Sequence, residues 1–290
     1  MKNTRSALAA GLVSLPFTQL RKNPYFYIWY DGIYFVLCLL LIAAMRLAGH
    51  ERLVATWDWR LIAVLLPVAC YAQVLASVFI HNCTHTNFPR AINRIVGELC
   101  GIVVLTRFAS WEVIHQRNHR YPDDVEKDPH PVVSSYWRFL GKTIVGVEHH
   151  LQQIYFSLYG DTPETRRFEK GRAYGSYATN LLLLFTWYSF LGPIAFFTIF
   201  VPSSIVGFFH LLHFNWSTHN ASSTAQDYKP VNLDHGFYWV GNRVWFGIYM
   251  HANHHKRTNL FNPAVWQAAS PVLAAAAQPA RVELASQRTR

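Results

Sequence analysis

The sequence predicts an all-α integral membrane protein with four transmembrane helices and a cytoplasmic, histidine-rich helical cap. Three observations predict it: long uncharged apolar segments, an uneven distribution of Lys and Arg, and four histidine clusters beside the segment ends. The chain has 290 residues, 51% hydrophobic and only 14% charged, whereas soluble domains are about 25% charged. This composition excludes a disordered chain. Its four cysteines are widely spaced, which excludes a disulfide scaffold.

Transmembrane helices are predicted near residues 27–47, 61–80, 173–191 and 194–213. No Lys, Arg, Asp or Glu occurs in residues 61–80 or in residues 173–214. Because one crossing needs about 20 apolar residues, the second of these runs holds two crossings, with a turn at Gly192–Pro193. Buried helices of a soluble protein are the alternative, but uncharged segments of this length are rare in soluble folds.

We expect one membrane domain over residues 1–290, with an interfacial N-terminal segment at 1–25 and a loose tail at 268–290. Four crossings place both termini on one face. Of the 26 Lys and Arg, only Arg46, Arg52 and Arg60 lie on the opposite face, so the positive-inside rule makes the terminal face cytoplasmic. We therefore expect a multi-pass protein of a bacterial inner membrane with a cytoplasmic active site. Topology explains the net charge of +10, and nucleic acid is not an expected partner.

The histidines are concentrated in four motifs at predicted cytoplasmic ends of the spans. HNCTH holds His81 and His85, HQRNH holds His115 and His119, NWSTH holds Asn215 and His219, and HANHH holds His251, His254 and His255. Positions i, i+3 and i+4 share one helix face, so each motif is expected to aim its imidazoles at one point. These eight histidines exceed the ligands of one zinc ion and suit two ions, although imidazole alone does not distinguish Fe, Zn, Cu and Ni. Surface histidines near lipid headgroups are the alternative, which the shared position of the four motifs disfavours.

In order and spacing, the motifs HNCTH, HQRNHRYPDDVEKDPHP and HANHH resemble the three histidine boxes of the integral-membrane fatty acid desaturase and hydroxylase superfamily. NWSTH is similar to that family's additional Asn-x-x-x-His motif, and the resemblance covers roughly residues 25–265. It implies a non-haem diiron centre with two Fe ions, O₂ as co-substrate, and an external electron donor such as ferredoxin or cytochrome b5. The metal carries the chemistry, so no side chain is expected to be catalytic by itself. The implied ligands are His81, His85, His115, His119, His219, His251, His254 and His255, with Asn215 acting through water.

One departure concerns the second box, which in the family usually reads His-x-x-His-His. Asn118 stands at the first of the paired histidines. An oxygen of Asn118, a water molecule, or His149 or His150 could complete the shell of that iron. Asp128 is the favoured carboxylate for orienting an imidazole, with Glu148 as another candidate and a helix cap or surface turn as the alternative. His130 is expected either to support a ligand or to lie on the surface.

The resemblance implies O₂-dependent desaturation, the introduction of a C=C bond into an acyl chain or lipid, with CoA or a carrier protein as alternative carriers. A hydroxylase or ketolase of a lipid, carotenoid or specialised metabolite is the alternative, and HRYPDD and DPHP favour the acyl branch. A haem protein or transporter is disfavoured because the clusters lie outside the spans. A zinc hydrolase is disfavoured because no box offers the glutamate of HExxH.

Other residues have weaker functional interpretations. Asp31 and Gln73 are polar residues within predicted spans and are functional candidates for that reason. The candidates for lining a substrate channel are Trp187, Phe190, Phe208 and Phe209. The basic residues that could bind an anionic headgroup or carrier, dock an acidic ferredoxin, or simply set the topology are Arg117, Arg120, Arg166, Arg167, Lys170 and Arg172.

Overall fold

A computed structural model describes residues 13–50, 57–122, 124, 126–131, 133, 135–220 and 230–266, and the structural statements below concern these residues. The expected tail at 268–290 and residues 1–12 of the expected interfacial segment lie outside them. Ten α-helices are named here: α1 (Pro16–Leu20), α2 (Phe26–Leu47), α3 (Trp59–Thr84), α4 (Arg90–Val103), α5 (Phe108–Arg120), α6 (Tyr136–Tyr159), α7 (Pro163–Ala195), α8 (Val201–Asn220), α9 (Gly236–Val244) and α10 (His251–Lys256). A π-helical turn (Phe196–Phe200) joins α7 to α8, and a 3-10 turn (Pro263–Val265) follows α10. The all-α class is confirmed for this part of the chain.

Three helical segments are long and apolar enough to cross a membrane: Phe26–Leu47, Trp59–Thr84 and Pro163–His219. Large apolar side chains on these helices face outward, for example Leu40 (61% exposed), Val64 (64%) and Leu181 (67%). A water-soluble protein rarely exposes so much contiguous apolar surface. This surface is suited to contact with lipid, as expected for a membrane protein.

The third apolar segment reverses direction at Gly192. Its 57 residues would form a rod of about 85 Å if straight. The rings of Trp187 and Phe200 nevertheless stack at 4.8 Å, whereas a straight helix would separate these residues by about 20 Å. Gly192 has φ 71° and ψ 167°, a conformation that glycine adopts without strain. The reversal lies at the Gly192–Pro193 dipeptide that the sequence marks as a turn.

The apolar helices pack as two parallel pairs. Along α2 and α7, Asp31 accepts a hydrogen bond from Ser176 (2.6 Å), and further along His50 stacks on Phe190. Gln73 of α3 meets α8 where Gly207 has no side chain, since a Cβ there would lie 2.8 Å from the Gln73 Cβ. As both α3 and α8 run toward the histidine motifs, their C-terminal ends lie together at that end of the bundle.

The histidine motifs lie on helices rather than in the loops after the spans. Helix α3 ends at Thr84, four residues beyond the predicted limit of 80, so His81 belongs to its last turn and His85 caps it. HQRNH forms the end of α5 and NWSTH the end of α8. These helices continue beyond the apolar runs because their polar last turns, including His81 and Asn82, are buried in protein.

Asp31 and Gln73 have structural contacts. Asp31 forms a buried ion pair with Arg107, which immediately precedes α5. Gln73 donates to the Val103 carbonyl (3.1 Å) and the Ser204 hydroxyl (3.0 Å). Burial of such groups is tolerated when each has a partner. These contacts therefore connect the end of α4 and the start of α5 to the apolar helices.

The N-terminal segment with α1, and helix α4, lie outside the three apolar segments. Leu20 of α1 is 1% exposed and packs with Tyr27, Ala109 and Leu151, so this part of the segment is enclosed by protein.

Helix α4, which the sequence analysis did not predict, buries Asn93 and exposes large apolar side chains. Its exposed apolar residues are Ile92, Ile95 and Leu99. This pattern is typical of a helix lying along a membrane surface.

Removing the Asp31 carboxylate is expected to destabilise the protein strongly. Asp31→Ala leaves the buried Arg107 guanidinium without its counter-ion, which costs about 3–5 kcal/mol. The measurement is the midpoint of thermal unfolding in detergent, followed by size-exclusion chromatography. Asp161→Ala is the matched control, because the Asp161–Arg166 pair is exposed and its loss should leave the midpoint unchanged. Equal midpoints for Asp31→Ala and the wild type would refute this role.

Candidate metal centre

Four chain segments bring histidines to one end of the bundle: the ends of α3, α5 and α8, and the short helix α10. A five-histidine group consists of His81, His85, His115, His119 and His254, and a three-histidine group consists of His219, His251 and His255. Within each group the candidate ligand nitrogens lie within 4.8 Å of one another. The structure thus brings together all eight histidines that the sequence analysis selected.

The Nε2 atoms in the five-histidine group approach one another closely. His85 lies 2.8 Å from His115, His115 lies 3.0 Å from His119, and His119 lies 3.1 Å from His254. A neutral imidazole carries one N–H, so at most two of these three contacts are hydrogen bonds. In the remaining contact two ring nitrogens lie close together without a hydrogen bond, and a cation bound by both nitrogens would stabilise this arrangement.

The three-histidine group repeats this geometry. The His251 Nε2 lies 2.9 Å from that of His219 and 3.1 Å from that of His255. All of these separations match the distance of about 3.0 Å between adjacent nitrogens that bind one ion at right angles with bonds of about 2.1 Å. The donor set and its spacing therefore fit a metal ion in each group.

Helix α10 divides its histidines between the two groups. His254 belongs to the five-histidine group, whereas His251 and His255 belong to the three-histidine group. The expectation that HANHH aims all three imidazoles at one point is therefore wrong. The reason is that α10 lies between the groups, with His119 and His255 stacked at 4.3 Å across the boundary. The two candidate sites are immediate neighbours.

Burial keeps several of these imidazoles, namely those of His115, His119, His251 and His254, in the form that binds metals. Burial, and then proximity to His219, lowers the pKa of His119 to about 4. Burial and the neighbouring histidines hold the pKa values of His115, His251 and His254 well below the ordinary value. Neutral imidazole is the ligand form, so no proton needs to be displaced from these rings near neutral pH.

Asn118 and Asp128 form a buried pair beside the three-histidine group. The Asn118 amide donates to both carboxylate oxygens of Asp128, at 3.0 and 3.1 Å. Asp128 in turn accepts the backbone N–H of His130 (2.8 Å). Asp128, His130 and His219 form a third group of ligand atoms within 4.8 Å. Asp128 is thus the predicted carboxylate that lies against the histidines.

The other candidates for completing the centre belong to none of the groups of ligand atoms found among the described residues. His149 contacts Gln153 (2.8 Å), and among the described residues neither His149 nor His150 belongs to a group of three or more ligand atoms. Both line a cavity of about 290 Å³ with Lys142. Glu148 forms an ion pair with Arg172, which also binds Glu169. Glu148 therefore connects α6 to α7.

Asn215 lies one helical turn before His219 on α8. Its amide nitrogen donates to the Leu211 carbonyl (3.0 Å).

Two polar residues near the centre, His130 and Glu112, were not predicted from the sequence to be site residues. His130 was considered only as a supporting or surface residue, although its position two residues after Asp128 was a usable signal. Glu112 lies on α5 one turn before His115 and accepts the Phe17 backbone N–H (2.8 Å). Burial raises the pKa of Glu112 to about 7. No sequence pattern indicates that contact, because it joins segments 95 positions apart.

Comparison with known proteins agrees with this geometry. The fatty acid desaturase family matches residues 55–260, a range that contains all eight histidines. A sn-1 oleoyl-lipid 12-desaturase of Picosynechococcus sp. is 31% identical over 94 residues, which cover 31% of this chain and 26% of that relative. No solved structure matches the chain. The chain belongs to the fatty acid desaturase family, which supports a desaturase-like membrane oxidoreductase.

Glu112 is expected to make the stability of the protein pH-dependent. Its pKa is about 7 in the folded protein against an ordinary 4.5, so its contribution is fully present below pH 4.5 and is lost as the pH rises through 7. Glu112→Gln should therefore be more stable than the wild type at pH 8, by up to about 3 kcal/mol. Thermal unfolding of both proteins at pH 5 and pH 8 measures this difference.

The difference between Glu112→Gln and the wild type should shrink at pH 5. Glu126→Gln, on an exposed turn, is the control and should match the wild type at both pH values. A constant offset between Glu112→Gln and the wild type would contradict titration of Glu112.

Proposed function

We propose that the protein is a non-haem diiron enzyme that introduces a C=C bond into an acyl chain, using O₂ and electrons from an external carrier. The observation that carries the proposal is the convergence of eight buried or half-buried imidazoles into two adjoining groups at one end of an apolar bundle. Family membership and the partial match to a lipid desaturase support this reaction over other uses of two metal ions.

The proposed ligands follow from the two groups. His81, His85, His115, His119 and His254 would hold one iron, and His219, His251 and His255 the other, with Asn215 acting through water. Bound iron would supply the activation of O₂ and the removal of hydrogen from an unactivated C–H bond, which no side chain can perform. The chain's own contribution is to orient the imidazoles and exclude water, and His219, His251 and His254 are at most 2% exposed.

We also propose that the third apolar segment crosses the membrane twice, giving four spans with a cytoplasmic cap. The reversal at Gly192 supports two crossings, and the parallel helix pairs place the beginnings of α2 and α7 at the end where α3 and α8 finish. The distribution of Lys and Arg supports a cytoplasmic cap. In a bacterium this membrane would be the inner membrane.

The acyl chain is proposed to enter through an aromatic cleft beside α8. The cleft has a volume of about 580 Å³ and is lined by Tyr136, Phe209, His210, His213, Phe237 and Tyr238. Behind the cleft, the Tyr249 hydroxyl lies 3.1 Å from His210. Tyr249 precedes the candidate ligand His251 by two residues. Phe209 was a predicted channel residue, whereas Trp187 stacks on Phe200 and donates to the Ile102 carbonyl (3.0 Å). The apolar wall suits a hydrocarbon chain.

Exposed basic residues of the cap are the proposed contact for an anionic headgroup, an acyl carrier or an acidic electron donor such as ferredoxin. Arg120, Arg167 and Lys170 are exposed. Arg172 is buried between Glu148 and Glu169, so it is unavailable for such a partner.

The test is a lipid mass spectrum of an aerobic bacterial host that expresses the wild type with ferredoxin and its reductase. Lipids two hydrogens lighter are expected with the wild type. His254→Ala removes a nitrogen from the five-histidine group and should lower their yield at least about 100-fold. His149→Ala lies outside the groups and is expected to retain wild-type yield.

The alternative activities give different products. Lipids one oxygen heavier would identify a hydroxylase and overturn desaturation. Full activity of His254→Ala, with the protein present in the membrane, would overturn the ligand assignment.

A further inference from the structure

We propose that His130 is an additional imidazole ligand of the three-histidine site, held in place by Asp128 and Asn118. The proposal rests on the function proposed above, because it assigns a residue to the second of the two metal sites. The two groups are unequal in size, because one contains five histidines and the other contains three.

His130 lies where a further ligand of the smaller site would be needed. Its ring centroid is 5.0 Å from that of His219, and its ligand nitrogen lies within 4.8 Å of those of His219 and Asp128. The Nδ1 of His130 is buried and has no hydrogen-bond partner, and Asp128 Oδ1 lies 3.8 Å from it, beyond hydrogen-bond distance. An imidazole nitrogen without a partner is costly when buried, and coordination of an ion shared with His219 would satisfy it.

Local chemistry fixes the segment that carries His130. The Asn118 amide binds both oxygens of Asp128, and Asp128 accepts the His130 backbone N–H. Pro129 restricts the backbone between them. Asn118 lies three residues after His115 on α5, on the face directed at the metal centre. The Asn118 amide therefore anchors the loop that contains Asp128, and this loop carries the imidazole of His130.

Other nearby groups are less suitable as the additional ligand. His149 and His150 belong to no group of ligand atoms among the described residues. Asp128 already accepts hydrogen bonds from Asn118 on both oxygens, so a metal would compete with the amide. His130 has a buried ring nitrogen without a hydrogen bond, and its ring lies next to that of His219.

The experiment is iron analysis of purified variants by mass spectrometry, with the iron-edge X-ray absorption spectrum as a second measurement. The wild type is expected to hold about two Fe per chain and His130→Ala about one. His149→Ala, a nearby histidine outside the groups, should hold as much iron as the wild type. Elution as a single detergent-solubilised species checks that each variant is folded.

The double variant Asn118→His/His130→Ala separates ligation from support of the fold. A histidine at 118 would offer an imidazole from α5 itself, so the iron content should return to about two per chain. The X-ray absorption spectrum should regain the wild-type contribution from imidazole. Iron loss in His130→Ala without this rescue would mean that His130 acts only by supporting the fold, and would overturn the proposal.

Failure of this proposal is distinguishable from failure of the proposed function. Two irons in both the wild type and His130→Ala would overturn the role of His130 and leave the diiron proposal intact. A wild type that binds no iron after expression with ample iron would overturn both.

Discussion

The close approach of buried imidazole nitrogens is the constraint on which the rest of this structure depends. Three Nε2 contacts of 2.8–3.1 Å link His85, His115, His119 and His254, and the available protons cannot turn all of them into hydrogen bonds. Such an arrangement is unfavourable without a cation and favourable with one. The surrounding helices therefore have to hold these rings together against their mutual repulsion. Metal binding should accordingly stabilise the fold as well as serve the reaction.

The bundle meets this requirement with buried ionic contacts between elements distant in sequence. Asp31 and Arg107 connect α2 to the start of α5, which carries His115 and His119. Arg172 connects α7 to α6 through Glu148. Buried ion pairs add little net stability, but losing one partner is costly. These ion pairs are thus better explained by their effect on the relative positions of the helices than by a contribution to stability. A two-metal site requires that the helices carrying its ligands be held in fixed positions.

Much of this architecture follows from local sequence, because apolar length and histidine spacing are local properties. The turn at Gly192–Pro193 and the membership of all eight histidines in one centre were predictable for that reason. The division of α10 between two groups was not, because it depends on how α10 lies between the other helices. The ion pair of Asp31 was not predictable because its partner Arg107 is distant in sequence. The contact of Asn118 with Asp128 joins a helix to an irregular loop, so helical periodicity could not reveal it.

Two metal ions are expected to bind in the two adjoining groups of histidines. Anomalous diffraction at the iron edge, from crystals of protein purified without chelators, tests this expectation most directly. Two peaks are expected: one enclosed by His81, His85, His115, His119 and His254, and a second beside His219, His251 and His255. A single peak, or iron bound away from these imidazoles, would contradict this expectation.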